Sequence, residues 1–450
     1  MPTRATIISL AVLASILVEN AAAQTPQASG PLLKSGPMVG ASEMREVRLW
    51  AQTTRAASVH VVYWDSAAPS KRYRTASVAT AARTAYTAHL TADSVEPGRT
   101  YRYELRINGV AVPRPYPLRF RTPTLWQYRT DPPPVRIALG SCFYVNDPPY
   151  DRPGPPYGSN HGLMRSIAAQ NPDIMLWLGD NTYLREADWY SRTGIMHRYT
   201  HTRALPELQP LLAAASNYAT WDDHDFGPND SDRSFRDRFI TREAFDLFWA
   251  NGRTGADGGG GVTSMFEWAD VQVFLMDDRW YRNAQNRLTG AKSYLGDEQI
   301  EWLINSLRSS RAAFKLIAVG GQVINSSITF ENYATYGDER TRLLDRITAE
   351  KIPGVMFLSG DKHWTELSRM PREGTYPLYD LTVSPLTAGT SNGWQQDKND
   401  FRVDGSILQE HNFGLLDISG PRTDRVMTIR IMDKDGVERW TRRIAASELR

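Results

Sequence analysis

Residues 173–183 read DIMLWLGDNTY, an apolar run that ends abruptly in polar side chains. A continuous apolar run of this length is typical of a strand buried on both faces, as in the sheet of an α/β protein. Further runs share this character, at 135–141, 218–221, 271–277, 314–320 and 354–360. They alternate with helical stretches, of which 297–310 has apolar residues at helical spacing behind Asp297 as the expected cap. The sequence therefore predicts an α/β domain over residues 132–450.

The chain before this domain has a different pattern. Short alternating runs between 41 and 125 are separated by turn residues, which predicts a small all-β domain of the fibronectin or immunoglobulin type. Residues 24–40 are rich in Pro, Gly and Ser and predict a linker. Residues 1–23 combine one arginine, an apolar run and three alanines, the pattern of a signal peptide cleaved near Ala23. We therefore expect a periplasmic or secreted protein with no transmembrane segment in its mature form.

The composition is that of an ordinary globular protein. The 450 residues are 41% hydrophobic and 23% charged, with a formal net charge of +2. This charge gives no reason to expect a stable nucleic-acid partner. Cys142 is the single cysteine, so an internal disulfide is excluded. In an oxidising compartment its thiol is expected to be either buried and inert or bound to a ligand.

Polar clusters follow four of the apolar runs. They are Ser141-Cys142, residues 179–183, residues 222–225 and residues 360–363. The cluster at 222–225 alone could be a solvated acidic loop, but ligands of α/β sheets bind where the carboxyl ends of strands converge. Aspartate and histidine suit a pair of metal ions, and a thiolate with a phenolate favours ferric iron beside a divalent ion. Such a pair can hold a phosphoryl group and activate water for attack on phosphorus, while a histidine beside it can either stabilise charge or protonate the leaving oxygen.

The motifs GSC, LGDNTY, WDDHDFGPND and GDKHW, in this order, resemble those of the PhoD-like alkaline phosphatases of the calcineurin-like metallophosphoesterase superfamily. The segment DDRWYR at 277–282 is also similar to that family, and the resemblance extends over roughly 40–420. It implies a sandwich of two β-sheets flanked by helices and a metal-dependent hydrolase of phosphate esters, including phospholipids or nucleotides. The alternatives are a phosphodiesterase or phospholipase D-like enzyme of the same fold, and a binding protein with a degenerate metal site.

The resemblance also implies roles for individual residues. The implied metals are Fe³⁺ and Ca²⁺, and their ligands would be Cys142, Asp180, Tyr183, Asp223, Asp361 and His363. Asp180 would bridge the two ions and take part in catalysis, and His224 would be the catalytic histidine. Asp225 stands where the family commonly has glutamate, so its contribution is left open.

Several further residues keep two interpretations. Asp222 and Asn229 are either calcium ligands or residues that support the ligands. Arg279 is either a phosphate-binding residue or part of a structural ion pair, and Arg233 either binds phosphate or belongs to a solvated loop. No histidine suits the second metal between the third and fourth motifs, which leaves Gln322 or Asn325 as alternatives. His197 and His201 have helical i, i+4 spacing but no third ligand, and we expect them at the surface.

Overall fold

The computed structural model describes Met1 and residues 30–450. The predicted signal peptide beyond Met1, and residues 24–29 of the predicted linker, therefore lie outside the described residues. Within the described part, every helix is too short or too polar to span a lipid bilayer.

The described strands, in chain order, are β1 (Leu33–Ser42), β2 (Val47–Thr53), β3 (Ser58–Asp65), β4 (Tyr73–Arg74), β5 (Val78–Ala79), β6 (Thr87–Ala92), β7 (Thr100–Ile107), β8 (Val110–Ala111), β9 (Arg119–Arg121), β10 (Val135–Gly140), β11 (Ile174–Leu178), β12 (Ser216–Thr220), β13 (Ser264–Trp268), β14 (Val271–Leu275), β15 (Phe314–Ala318), β16 (Val355–Ser359), β17 (Glu366–Met370), β18 (Leu378–Thr382), β19 (Asn412–Ser419), β20 (Val426–Asp433) and β21 (Glu438–Ala445). The described α-helices are α1 (Leu163–Ala169), α2 (Arg192–Arg203), α3 (Gln209–Leu212), α4 (Asp223–Phe226), α5 (Arg238–Phe248), α6 (Asp297–Ser309) and α7 (Gly337–Ala349).

Two mixed sheets form the centre of the fold. In the described residues, one has nine strands in the order β21-β20-β19-β10-β11-β12-β1-β2-β6, and the other has six in the order β13-β14-β15-β16-β18-β17. Strands β10, β11 and β12 are parallel neighbours, as are β14, β15 and β16. The predicted α/β architecture with two sheets is confirmed.

The apolar run at 173–179 is buried on both faces, as its composition predicts. In β11, Leu176 joins the hydrophobic cluster between the two sheets, whereas Trp177 joins the cluster under helices α1, α2 and α5. Alternate side chains of a strand point to opposite faces, so both faces need apolar residues here. This packing fixes the strand and therefore the position of the polar residues that follow it.

The amino-terminal β region is also observed, but it is not separate from the larger sheet. Strands β3 to β5 and β7 to β9 form a further sheet, whose apolar residues pack against those of β1, β2 and β6. Strands β1, β2 and β6 belong to the nine-stranded sheet, in which Val39 of β1 pairs with Ser216 of β12. The division into domains at 41–125 and 132–450 remains a prediction, made within one compact unit, Leu32–Arg450.

Two local predictions are wrong. Residues 33–40 belong to β1 and not to a linker, because eight of the ten residues of β1 are buried against neighbouring strands. Asp297 is the first residue of α6 and not its cap: Gly296 occupies the N-cap position. The acidic side chain still lies at the positive end of the helix, where a carboxylate is favourable.

Candidate metal centre

The polar segments that follow β10, β11 and β12 lie side by side, because these strands are neighbours in one sheet. The segment after β16 approaches them from the other sheet. Gly360 packs so closely against Ser141 that a Cβ atom on Gly360 would lie 2.5 Å from that of Ser141. The carboxyl ends of strands from both sheets therefore meet, which is where α/β proteins bind their ligands.

Cys142, Asp180 and His363 form a first group whose ligand atoms all lie within 4.8 Å of one another. The Sγ atom of Cys142 lies 3.7 Å from Oδ2 of Asp180. Burial raises the pKa of the Cys142 thiol, but the nearby His363 imidazolium and two hydroxyl donors outweigh it and the pKa is lowered. Burial disfavours the imidazolium in turn, yet the thiolate raises the pKa of His363 to about 9. His363 therefore favours ionisation of the thiol, and a thiolate is the form that binds metals.

Two further groups adjoin the first. Asp180, Asp223 and His224 form the second, and Asp222, Asp223 and Glu331 form the third, each again within 4.8 Å. Asp180 belongs to two groups and so does Asp223. A carboxylate shared in this way can bridge two cations, as predicted for Asp180.

The electrostatics of these groups suit cations. Burial raises the pKa of Asp180 well above its ordinary value, and the charges of Asp223 and Cys142 raise it further. Asp223 Oδ1 and Asp222 Oδ2 are buried and make no hydrogen bond to any residue that the structure describes. A buried carboxylate oxygen without a partner is unfavourable unless a cation neutralises it. The residues present therefore fit a pair of metal ions.

The backbone at this centre is strained. Four non-glycine residues at the ends of these strands have positive φ, namely Cys142 (59°), Asp180 (53°), Asp361 (70°) and His363 (62°). Non-glycine residues in this region cost roughly 1–3 kcal/mol each and persist only where the surrounding structure imposes them. The buried strands on either side therefore direct these side chains.

Tyr183 and His224 complete the wall of the centre. The hydroxyl of Tyr183 lies 3.4 Å from Nε2 of His363, which places the phenol beside the first group. Its ring packs against the His224 imidazole in a tilted arrangement, with 4.3 Å between centroids. Burial lowers the pKa of His224 well below its ordinary value, and the positive charge of Arg185 lowers it further. His224 is therefore a neutral imidazole near neutral pH.

Asp361 lies at the edge of the centre. Its Oδ2 is 3.7 Å from the Lys362 ammonium, and it does not belong to any of the three compact groups. Burial raises the pKa of Asp361; Lys362 opposes this rise, whereas the Glu331 and Asp223 carboxylates add to it. Its charge thus interacts with the second and third groups.

Of the two interpretations of Arg279, its contacts in the structure favour the structural ion pair over phosphate binding. Its guanidinium is fully buried, and Nε donates to Asp222 Oδ1 at 2.6 Å. Its terminal nitrogens donate to both carboxylate oxygens of Glu331, at 3.1 and 2.7 Å. Arg279 is therefore fully used in holding two acidic residues together and has no donor left for a substrate.

The remaining predicted residues lie further out. Asn229 is exposed on the wall of the cavity beside His224, and Arg233 is exposed on the loop after α4. Asp225 is buried, where its carboxylate accepts hydrogen bonds from the backbone N–H groups of Asn181 and Asp222 at 3.1 Å. Burial raises the pKa of Asp225 to about 7. Its contacts hold the second and third motifs together.

Gln322 and Asn325 do not belong to the metal groups. Gln322 donates to Glu366 at 2.8 Å, and Asn325 donates to Gln322 and to Asp397. These contacts form a separate buried polar network. His197 and His201 lie on α2, as expected, and His197 contacts Asp147 at 2.9 Å.

Sequence reasoning missed two residues of the centre. Glu331 comes from an irregular segment, and the only signal for it was its place between the third and fourth motifs, where a ligand was lacking. Arg185 follows Tyr183 by two residues and forms part of the wall of the cavity beside His224. An arginine this close to a predicted ligand could have been weighed as an anion-binding residue.

Comparison with known proteins gives two family matches. A model described as PhoD-like phosphatase matches residues 155–415, and one for a domain of unknown function (DUF7800) matches residues 30–125. Alkaline phosphatase D of Bacillus subtilis (strain 168) is 23% identical over 384 residues, which cover 73% of this chain and 62% of that protein. This chain thus spans less than two thirds of the length of that relative.

Solved structures share the fold. One described as the structure of PhoD aligns over 93% of both chains, with a TM-score of 0.72 and 16% identity. Purple acid phosphatase PPD1 from yellow lupin (Lupinus luteus) seeds aligns over 91% of this chain and 74% of its own, with a TM-score of 0.63 and 12% identity. These similarities show a metallophosphoesterase-like fold.

Proposed function

This chain belongs to the PhoD-like phosphatase family, and from that premise we propose that it is a metal-dependent hydrolase of phosphate monoesters, of the alkaline phosphatase D type. The observation that carries the proposal is the sharing of Asp180 and Asp223 between adjacent ligand groups. Shared carboxylates suit two neighbouring cations, and two cations suit displacement at phosphorus.

The donor set supports Fe³⁺ at the first group and Ca²⁺ at a neighbouring position beside Asp223. Cys142, Tyr183 and His363 would hold the iron, and Asp223 with Asp361 would hold the calcium, with Asp180 between them. Calcium prefers oxygen ligands, whereas a thiolate suits a transition metal. When bound, the ions would polarise the phosphoryl oxygens and lower the pKa of a water molecule.

The role proposed for His224 is assistance at the leaving oxygen. Its pKa is lowered by burial, so the ring stays neutral at neutral and alkaline pH. Its Nδ1 is buried and makes no hydrogen bond within the described residues. The Tyr183 ring packs against it and restricts its orientation. A neutral imidazole held in this way can donate a hydrogen bond to an oxygen on which negative charge develops.

The second candidate function is that of a phosphodiesterase, including one acting on phospholipids. The size of the cavity supports this candidate. The cavity beside His224 has a volume of about 680 Å³, which gives room for a second ester substituent. Export to the periplasm or medium is also part of the proposal, and it is supported by the sequence pattern of residues 1–23.

Metal analysis of the purified protein and of Cys142→Ser tests the proposal. Both proteins are also assayed with added calcium on 4-nitrophenyl phosphate and bis(4-nitrophenyl) phosphate. We expect iron and calcium in the wild type, and loss of iron and of activity in the variant. Unchanged iron and activity in the variant would refute the assignment of Cys142, and faster hydrolysis of the diester would favour the second candidate.

A further inference from the structure

The cavity beside His224 has a distinctive wall. The proline-rich segment 146–157, here called the cavity loop, forms much of it, and the rest comes from Tyr144, Arg185, His224 and Asn229. Its volume of about 680 Å³ lies in the range of small-molecule sites. A phosphate group alone would leave most of this space empty, so the wall has room to contact the remainder of a substrate.

Arg185 is a buried cation without an acidic partner in this wall. Its side chain makes no ion pair within 4.0 Å in the described part of the chain, although the residue is only 7% exposed. By contrast, the buried residues Arg198 and Arg425 contact carboxylates at 2.8 and 2.7 Å. A buried charge needs compensation. For Arg185, that compensation is missing among the described residues.

Aromatic rings take the place of a carboxylate. The guanidinium carbon of Arg185 lies 4.7, 5.9 and 5.2 Å from the ring centroids of Tyr144, Tyr157 and Tyr183. Its Nε donates to the Tyr144 hydroxyl at 3.0 Å. The terminal nitrogens make no hydrogen bond within residues 30–450, and they are not enclosed like the unpartnered buried atoms elsewhere. They therefore offer their donors to the cavity.

The position of Arg185 is fixed from both sides. Its backbone N–H donates to Asp188 Oδ2 at 2.9 Å, and the same oxygen accepts from Arg198 at 2.8 Å. On the other side, the Tyr144 hydroxyl donates to Asp151 of the cavity loop at 2.7 Å. An arginine immobilised before its ligand arrives loses little conformational entropy on binding.

We propose that Arg185 binds an anionic oxygen of the phosphate ester and thereby favours dianionic monoesters over monoanionic diesters. The inference rests on the proposed function and extends it to substrate class. A guanidinium presents paired N–H donors that match phosphate oxygens. Its attraction for a dianion exceeds that for a monoanion at the same distance. The Tyr183 ring contacts both Arg185 and His224, so the bound anion would lie beside the proposed catalytic histidine.

Arg185→Gln, compared with Arg308→Gln, tests this proposal. Arg308 is exposed on α6 and pairs with Glu350 at 3.8 Å, so its variant loses the same charge away from the cavity. Steady-state kinetics on 4-nitrophenyl phosphate and bis(4-nitrophenyl) phosphate are combined with calorimetric titration of inorganic phosphate. For Arg185→Gln we expect KM for the monoester and Kd for phosphate to rise about tenfold or more, as for one lost charge-assisted hydrogen bond. KM for the diester should rise less, and Arg308→Gln should match the wild type.

Phosphate binding separates this inference from the proposed function. A wild type that hydrolyses neither ester would refute the function, while the change in phosphate Kd would still test Arg185. Unchanged KM and phosphate Kd in folded Arg185→Gln would overturn the inference. So would a fall in kcat alone, because it would place the effect of Arg185 on His224. If Arg185→Gln does not fold, Tyr144→Phe keeps the ring but removes the acceptor of Nε, and a rise in phosphate Kd is again expected.

Discussion

The hydroxyl of Ser384 donates a hydrogen bond to Cys142 Sγ at 3.1 Å, although 242 residues separate the two in sequence. The same oxygen accepts the backbone N–H of His363 at 2.8 Å. One serine thus positions two of the residues proposed to hold iron. Residues that orient metal ligands in this way commonly affect metal affinity.

Ser384→Ala is therefore expected to weaken iron binding by about tenfold to 100-fold while the fold is kept. Retention of iron during dialysis against a graded series of chelator concentrations measures this. Ser264→Ala is the matched control, because the Ser264 hydroxyl is buried but makes no hydrogen bond within the described residues. Equal iron retention in both variants would contradict the role of Ser384.

Arg279→Met should destabilise the protein by about 3–5 kcal/mol, since removal of one partner leaves buried charges uncompensated. Asp222 and Glu331 would lose their shared guanidinium. Denaturant unfolding of the metal-free proteins measures the change in the free energy of unfolding. The double variant Arg279→Met/Glu331→Gln should recover part of the loss, and a double variant with the two losses simply added would contradict the ion pair.

Gly360→Ala should disturb the contact between the segments that follow β10 and β16, one from each sheet. The new Cβ would lie 2.5 Å from that of Ser141, so the loops after β10 and β16 must move apart. Overpacking of this kind costs roughly 1–3 kcal/mol. The melting temperature and the iron content should both fall. Gly337→Ala is the control, because a Cβ there meets nothing within 4 Å at the start of α7. A normal iron content in Gly360→Ala would show that the close approach does not matter.

Lys315 should make stability depend on alkaline pH. Burial lowers the pKa of Lys315 to about 8 from an ordinary value of 10.5. Between these values the unfolded chain binds more protons than the folded one, so raising the pH favours the folded state. The cost of burying the charge is fully present below pH 8, and it is relieved as the pH approaches 10.5.

The wild type should therefore gain thermal stability relative to Lys315→Met as the pH rises from about 7.5 to 10. Differential scanning calorimetry of both proteins across this range measures the difference, and the subtraction removes pH effects common to the two. A difference in melting temperature that stays constant with pH would mean that the Lys315 ammonium is hydrated in the folded protein.

The strands were predictable because a run of consecutive apolar residues indicates a strand buried on both faces. The apolar run at 173–179 needs no knowledge of the rest of the chain to be recognised as buried on both faces. The approach of Cys142 to Asp180 followed from it, because parallel neighbouring strands end at one edge. By contrast, the joining of β1 to β12 depends on a pairing 177 residues away in sequence, between Val39 and Ser216 (216 − 39). The Pro-, Gly- and Ser-rich composition of residues 24–40 predicted a linker in place of this strand.

The roles of the two arginines could not be read from the sequence. Arg279 is a structural residue only because Glu331, from an irregular segment, reaches it in space. Arg185 faces the cavity because tyrosines from three separate positions surround it. Whether an arginine pairs with a carboxylate or faces a cavity depends on tertiary contacts. Local sequence patterns do not contain this information.

Because the candidate metal centre is built from strand ends of two sheets, its residues are synthesised at different times and assemble late. Cys142 is made early, but the serine that donates to its sulfur follows 242 residues later. Until the later residues are made and folded into place, Cys142 lacks both its histidine and the Ser384 hydroxyl, and its sulfur is open to oxidation. Binding of the proposed iron would accordingly be one of the last steps of maturation. A chain exported in an unfolded state would complete that step outside the cytoplasm, in competition with oxygen for the same sulfur atom.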